Sequence, residues 1–257
     1  MNLGDTIPIS IFMDILSLVV VGVGCLVVSV ASQMSGSTRG FVVLRDIGLP
    51  LGLLGALAGA LGISLNASDP ALVYHYTAYM LVTAFYGGVV SGFGVFLGGQ
   101  DPSKNTKPDS PVPIYLATFV TFAVAIWAMD SAAGIKLYFS PVLLGVFAAV
   151  GLLAITTKKK SLTGTLADAS LFASMLCVMI GLIARFSDYV EQGLRISMGG
   201  LVLGLLVYVC ALCMSYGTGA QAEINAQRKN WHWLELTGFL VFMYFAPETL
   251  REVLQSQ

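Results

Sequence analysis

The sequence predicts an all-α fold: a polytopic membrane helix bundle of seven or eight transmembrane helices in two same-orientation repeats. Three observations carry this. Of the 257 residues, 56% are hydrophobic and only 11% charged, against about 25% charged in a soluble domain. The apolar residues fall into runs near the ~20 residues that cross a bilayer. The basic residues concentrate in alternate gaps between those runs.

Seven runs qualify: 11–32, 47–66, 74–98, 113–130, 139–157, 167–185 and 195–215. An eighth, WHWLELTGFLVFMYFA at 231–246, is short and opens on tryptophans. It is read as spanning, with an interfacial placement as the alternative. Gap 33–46 carries Arg39 and Arg45, and gap 99–112 carries Lys104 and Lys107. Gap 158–166 opens with Lys158, Lys159 and Lys160, and 216–230 carries Arg228 and Lys229. The other gaps hold acids and only Lys136, beside a span end. The positive-inside rule puts the basic set in the cytoplasm and the N-terminus outside. MNLGDTIP lacks a basic n-region and an A-x-A-like site, so it does not read as a cleaved signal. The expected location is a bacterial inner membrane.

The chain resembles itself. SLVVVGVGCLVVSVAS at 17–32 is similar to SPVLLGVFAAVGLLAIT at 140–156. Each is followed by a short basic loop, a small-residue helix, a short acidic loop and a glycine-containing helix. The expected organisation is a first helix unit at 1–98 and a cytoplasmic linker at 99–112. A second, degenerate unit follows at 113–215, then a cytoplasmic segment with a short terminal helix at 216–257.

Composition and motifs exclude several classes. A net charge of −1 argues against nucleic acid as a partner. Cys25, Cys177, Cys210 and Cys213 lie in apolar runs and read as packing residues. His75 and His232 have no second ligand at metal spacing. No phosphate loop, G-x-S-x-G or H-E-x-x-H occurs. Neither an enzyme nor a cofactor or metal site is expected.

The segment GLPLGLLGALAGAL at 48–61 opens a stripe in which Gly52, Gly55, Gly59 and Gly62 share one helical face. Small residues at this spacing let backbones approach closely in membranes. The face packs within the chain, receives a partner's helix, or does both. Pro50 reads as the opening of that helix, a simple start or a hinge that frees a carbonyl. Asp14, near the outer end of the first span, is the candidate functional acid, or it reaches the headgroups. Asp130, Lys136, Asp168 and Arg185 read as span ends, and Glu235 as interfacial. Thr83 and Tyr86 lie one turn apart, as a polar pair or as ordinary packing.

Three stretches resemble the A-subunits of bacterial ion-driven stators, the MotA, PomA, TolQ and ExbB family. IFMDILSLVVVGVGCLVVSV (11–30) is similar to the family's second transmembrane helix, GLPLGLLGALAGAL to its third and TAYMLVTAFYGGVVSGF (77–93) to its fourth. NASDP resembles the periplasmic turn between the last two. The resemblance implies a stator-like, proton-driven subunit forming a ring around the transmembrane helix of a single-span MotB-, ExbD- or TolR-like partner. It implies an ion-path or partner-helix face of Pro50, Gly52, Gly55, Ala56, Gly59, Gly62, Thr83, Ala84, Tyr86 and Gly87. The sequence departs from the family in two ways. The large cytoplasmic domain of flagellar members is missing, and alanines 56 and 84 stand at positions matching the hydroxyls of sodium-type members. The first unit lacks the family's first helix, a vacancy that 231–246 is read as filling. The alternatives are a non-conducting membrane scaffold and a small secondary transporter, which predicts a broken helix and a polar mid-membrane pocket.

Overall fold

A computed structural model describes residues 14–37, 40–66, 68–98, 108–156, 161–186, 190–221 and 224. Seven main helices account for most of them: α1 (Ile15–Met34), α2 (Gly40–Leu65), α3 (Pro70–Gly98), α4 (Val112–Ala133), α5 (Pro141–Thr156), α6 (Leu162–Phe186) and α7 (Val190–Thr218). All but α5 are long and apolar enough to cross a membrane. The chain is therefore a multi-pass helical membrane bundle. Over its 16 described residues α5 rises about 24 Å. The 231–246 segment lies outside the described residues, so neither its span nor its place beside the first unit is described.

Short caps and turns separate the helices. Asp69 opens α3 by accepting from the backbone N–H groups of Ala71 and Leu72, which satisfies donors that every helix start leaves free. Gly134 ends α4 at φ +79°, a conformation that favours glycine. The exposed Asp130 carboxylate then accepts from the N–H of Ile135. Asp130 thus sits in the last turn of α4 and Lys136 in the turn that follows.

Two helix pairs pack most closely: α2 with α3, and α6 with α7. α2 and α7 are the most buried spans. They meet each other and α4, and α1 closes the group against α2 and α4. α3 keeps much of its outer surface exposed, as a lipid-facing helix does.

The structure corrects one boundary. α2 begins at Gly40, not at 47, so Arg45, Asp46 and Pro50 lie inside the helix. Pro50 is interior rather than an opening residue. Lacking an N–H, it leaves the carbonyl of Asp46 without its usual intrahelical donor. Charges ended the apolar run early on paper. In the fold Arg45 Nε donates to Asp46 at 2.8 Å, and the pair enters the helix together.

Candidate functional site

The glycine stripe is filled by this chain's own α3. A methyl added at Gly52 would stand 2.7 Å from the Cα of Gly87 and 2.9 Å from the carbonyl oxygen of Thr83. Gly55 faces the side chain of Thr83, Gly59 faces Tyr79 and Met80, and Gly62 faces Tyr76 and the Ala132 carbonyl. Gly48 extends the stripe by one turn, against Gly87 and Ser91. Of the two readings of this face, packing within the chain is the one observed. Gly52, Gly55, Gly59, Gly62 and Gly87 each meet atoms of this chain within about 3 Å of where a methyl would stand. Ala56 is buried beside the stripe, whereas Ala84 and Tyr86 are half-buried on α3.

The same close approach brings polar groups together at the end of the bundle read as outer. Asp14 is the N-cap of α1. Its Oδ2 accepts from the Ser17 backbone N–H at 2.7 Å and from the Ser17 hydroxyl at 2.5 Å. The Ser17 and Thr83 hydroxyls lie 2.6 Å apart, and the single Thr83 proton is within reach of both the Ser17 oxygen and the Tyr79 carbonyl, so with Ser17 donating to Asp14 it is Thr83 that donates to Ser17 or to that carbonyl. Ser17 and Thr83 are fully buried, and Asp14 is half-buried. Asp14 and Thr83, sixty-nine residues apart, are thus joined through Ser17. Just beyond Ser17, Val19–Val23 forms a π-helical turn, a local widening that is frequent near functional sites.

Two tyrosines that the sequence did not single out stand near this group. Tyr79 on α3 and Tyr138 in the turn after α4 are 2% and 0% exposed. Burial pushes the Tyr138 hydroxyl above its ordinary pKa, and the adjacent Tyr79 and Tyr76 add to the shift.

A second polar group lies at the opposite end. Asp46 is buried and accepts from the Tyr216 hydroxyl at 3.0 Å, from α7. Ser37, after α1, donates to the Tyr216 carbonyl and accepts from the Gln221 amide. Ser91 of α3 donates to the Arg45 carbonyl. This group ties the α1–α2 turn, α2, α3 and the end of α7 into one corner. Buried Ile47, Leu51, Leu54 and Cys25 lie among the helices between the two ends. Along α2, Asp46 and the Thr83 level at Gly55 are nine residues apart, about 14 Å.

The second close hairpin has its own stripe. Gly200 faces Cys177, Gly204 faces Ser174 and the Ser170 carbonyl, and Gly181 faces Gly193 and Ser197. Positions 170, 174, 177 and 181 step by four, three and four, as 48, 52, 55 and 59 do on α2. The α6 face keeps the cadence with serine and cysteine in place of most of the glycines.

Among the described residues, no group of three or more His, Cys, Asp or Glu side chains is placed to hold a metal ion. Comparison with family models, curated proteins and solved structures finds no match.

Proposed function

We propose that this chain is a bacterial inner-membrane subunit of a stator-like energy-coupling complex driven by protons. The observation that carries the reading is the chain from the Asp14 carboxylate through the Ser17 hydroxyl to Thr83. It links the helices that resemble the family's second and fourth. Hydroxyls both donate and accept, so such a chain suits a proton. A hard cation needs a shell of about six oxygen ligands. The similar hairpins α2–α3 and α6–α7 support two related units.

The apolar packing between the outer and inner polar groups supports dependence on a partner. A proton crossing that layer needs a carrier from outside this chain, and a single-span helix bearing a carboxylate supplies one. The open side of α3 suits its docking: Gly88 and Gly92, one turn apart, have nothing within 4 Å, and a glycine pair at this spacing favours close helix contact. The same packed layer favours a second reading, a membrane scaffold that assembles a complex without conducting.

The test is extraction of the chain from its native membrane in mild detergent, with mass spectrometry of what co-purifies. The expected result is a single-span protein with an Asp near the start of its span. Replacing that Asp with Asn should abolish proton uptake by the reconstituted pair. A chain that purifies alone sinks the stator reading. A stable complex without proton flux selects the scaffold.

A further inference from the structure

α5 buries only Leu143 and Val150. It packs on α6 and, more lightly, on α7. Its counterpart in the self-similar stretch, α1, is covered from two sides, by α2 and by α4. Set side by side from Ser17 and Ser140, the two helices differ at matching positions. Val21, Cys25 and Ser29 of α1 are buried. The matching Leu144 and Leu152 of α5 are 45% and 67% exposed, and Ala148 is exposed. α1 takes part of its cover from α4, the helix that follows the α2–α3 hairpin: the Thr121 methyl lies 3.4 Å from where a side chain at Gly24 would begin. The α6–α7 hairpin is followed by the apolar run 231–246, which lies outside the described residues.

We propose that 231–246 packs as an antiparallel helix along the bare face of α5, covering it as α4 covers α1. Length and charge both fit. The run equals the described length of α5, 16 residues, or about 24 Å as a helix. α7 ends on the side read as cytoplasmic, so the run starts there and rises outward, while α5 descends to Lys158, Lys159 and Lys160. Antiparallel packing therefore sets Glu235, in the run's second turn, near that basic triplet. A carboxylate inside a span needs such a partner. The inner end of α1 has no comparable cluster: gap 33–46 holds Arg39 and Arg45, and Arg45 is bonded to Asp46. In a helix, Leu236, Leu240 and Met243 share one face, and α5 opposes them with the small Gly145 and Ala148. Among the described residues nothing lies within 4 Å of a methyl placed at Gly145. This placement differs from the first-unit vacancy that the stator resemblance implies for 231–246. It rests on the self-similarity of α1 and α5, not on the stator reading.

Disulfide cross-linking in the full chain tests this. The native cysteines are replaced by serine, and a protease site is inserted between 225 and 230. Leu152→Cys with Leu236→Cys, and Leu144→Cys with Met243→Cys, pair the two helices in their inner and outer halves. Leu26→Cys with Leu240→Cys tests the first-unit vacancy, since Leu26 is exposed on α1. A disulfide forms only where the two Cα atoms come within about 7 Å. After oxidation and cleavage, the fragments of both α5 pairs should stay joined and separate on reduction, while those of the Leu26 pair fall apart without reductant. Joining through Leu26 instead, a doubled mass that marks a second copy, or no cross-link in any pair overturns the proposal. The stator reading survives each of these outcomes, because its own test is the co-purified partner and proton uptake.

Discussion

Gly52→Ala is the most direct perturbation of the α2–α3 contact. The new methyl would lie 2.7 Å from the Cα of Gly87 and 2.9 Å from the Thr83 carbonyl oxygen. Carbon atoms pack at roughly 3.5–4.0 Å, so the methyl is about 1 Å too close. Both obstacles are backbone, and no flexible side-chain end can yield. The helices must separate, and the neighbouring close contacts at Gly48, Gly55 and Gly59 are loosened with them. Overpacking of this kind costs about 1–3 kcal/mol, and two backbone clashes put Gly52→Ala at the upper end. That corresponds to a fall in Tm of about 5–10 °C. Gly88→Ala is the control, since nothing lies within 4 Å of Gly88. Alanine there gains helix propensity of up to about 1 kcal/mol, so Tm holds or rises. The buried thiols of Cys25, Cys177 and Cys213 provide the assay: a thiol-reactive fluorogenic dye reports their exposure as the purified protein is heated. If Gly52→Ala melts with the parent chain, or Gly88→Ala falls as far, the assignment of the two α2 and α3 faces is wrong.

Tyr216→Phe leaves the buried Asp46 carboxylate short of one donor and should cost about 1–3 kcal/mol; an unchanged melting curve would mean that the inner corner contributes no stability. Thr83→Val keeps the methyl against Gly55 but strips the hydroxyl, leaving Ser17 without that partner. It should cost about 1 kcal/mol, and less than Thr83→Ala, which also opens a cavity; equal costs would put the role of Thr83 in its hydroxyl alone. In a chain whose native cysteines are replaced by serine, Lys159→Cys should be labelled by a membrane-impermeant maleimide only from the cytoplasmic side and Asp69→Cys only from outside. Labelling of both from one side would refute the orientation.

The spans and the glycine face were legible because both are short-range periodic signals. What the face meets was not. Close glycine spacing says that a backbone comes near, and it reads alike for a neighbour in the same chain and for another protein. The start of α2 was hidden for a different reason. Hydropathy counts Arg45 and Asp46 as two charges, while the fold pairs them and adds the Tyr216 hydroxyl from 170 residues away. A count of every small residue, not of glycine alone, would have found the second stripe at Ser170, Ser174, Cys177 and Gly181. Nothing local marks Tyr79 and Tyr138 as buried, since that depends on which helices pack over them.

The glycine stripe and the hydroxyl chain are one device. Thr83 is β-branched and stiff about χ1, so placing its methyl fixes its hydroxyl. Gly55 has no side chain, and the Thr83 methyl occupies that space. The hydroxyl is thereby held toward Ser17 and the Tyr79 carbonyl. A side chain at 55 would displace the methyl and turn the hydroxyl away, although residue 55 makes no hydrogen bond through a side chain itself. Ala56 has no hydroxyl to offer, and Ser17 of α1 supplies the partner oxygen for Thr83. The polar pair therefore faces α1 and its capping carboxylate, Asp14, rather than the α2 face that the glycines close. On the stator reading, protons enter along α1, and the α2–α3 contact serves as the rigid wall that aims Thr83 toward it.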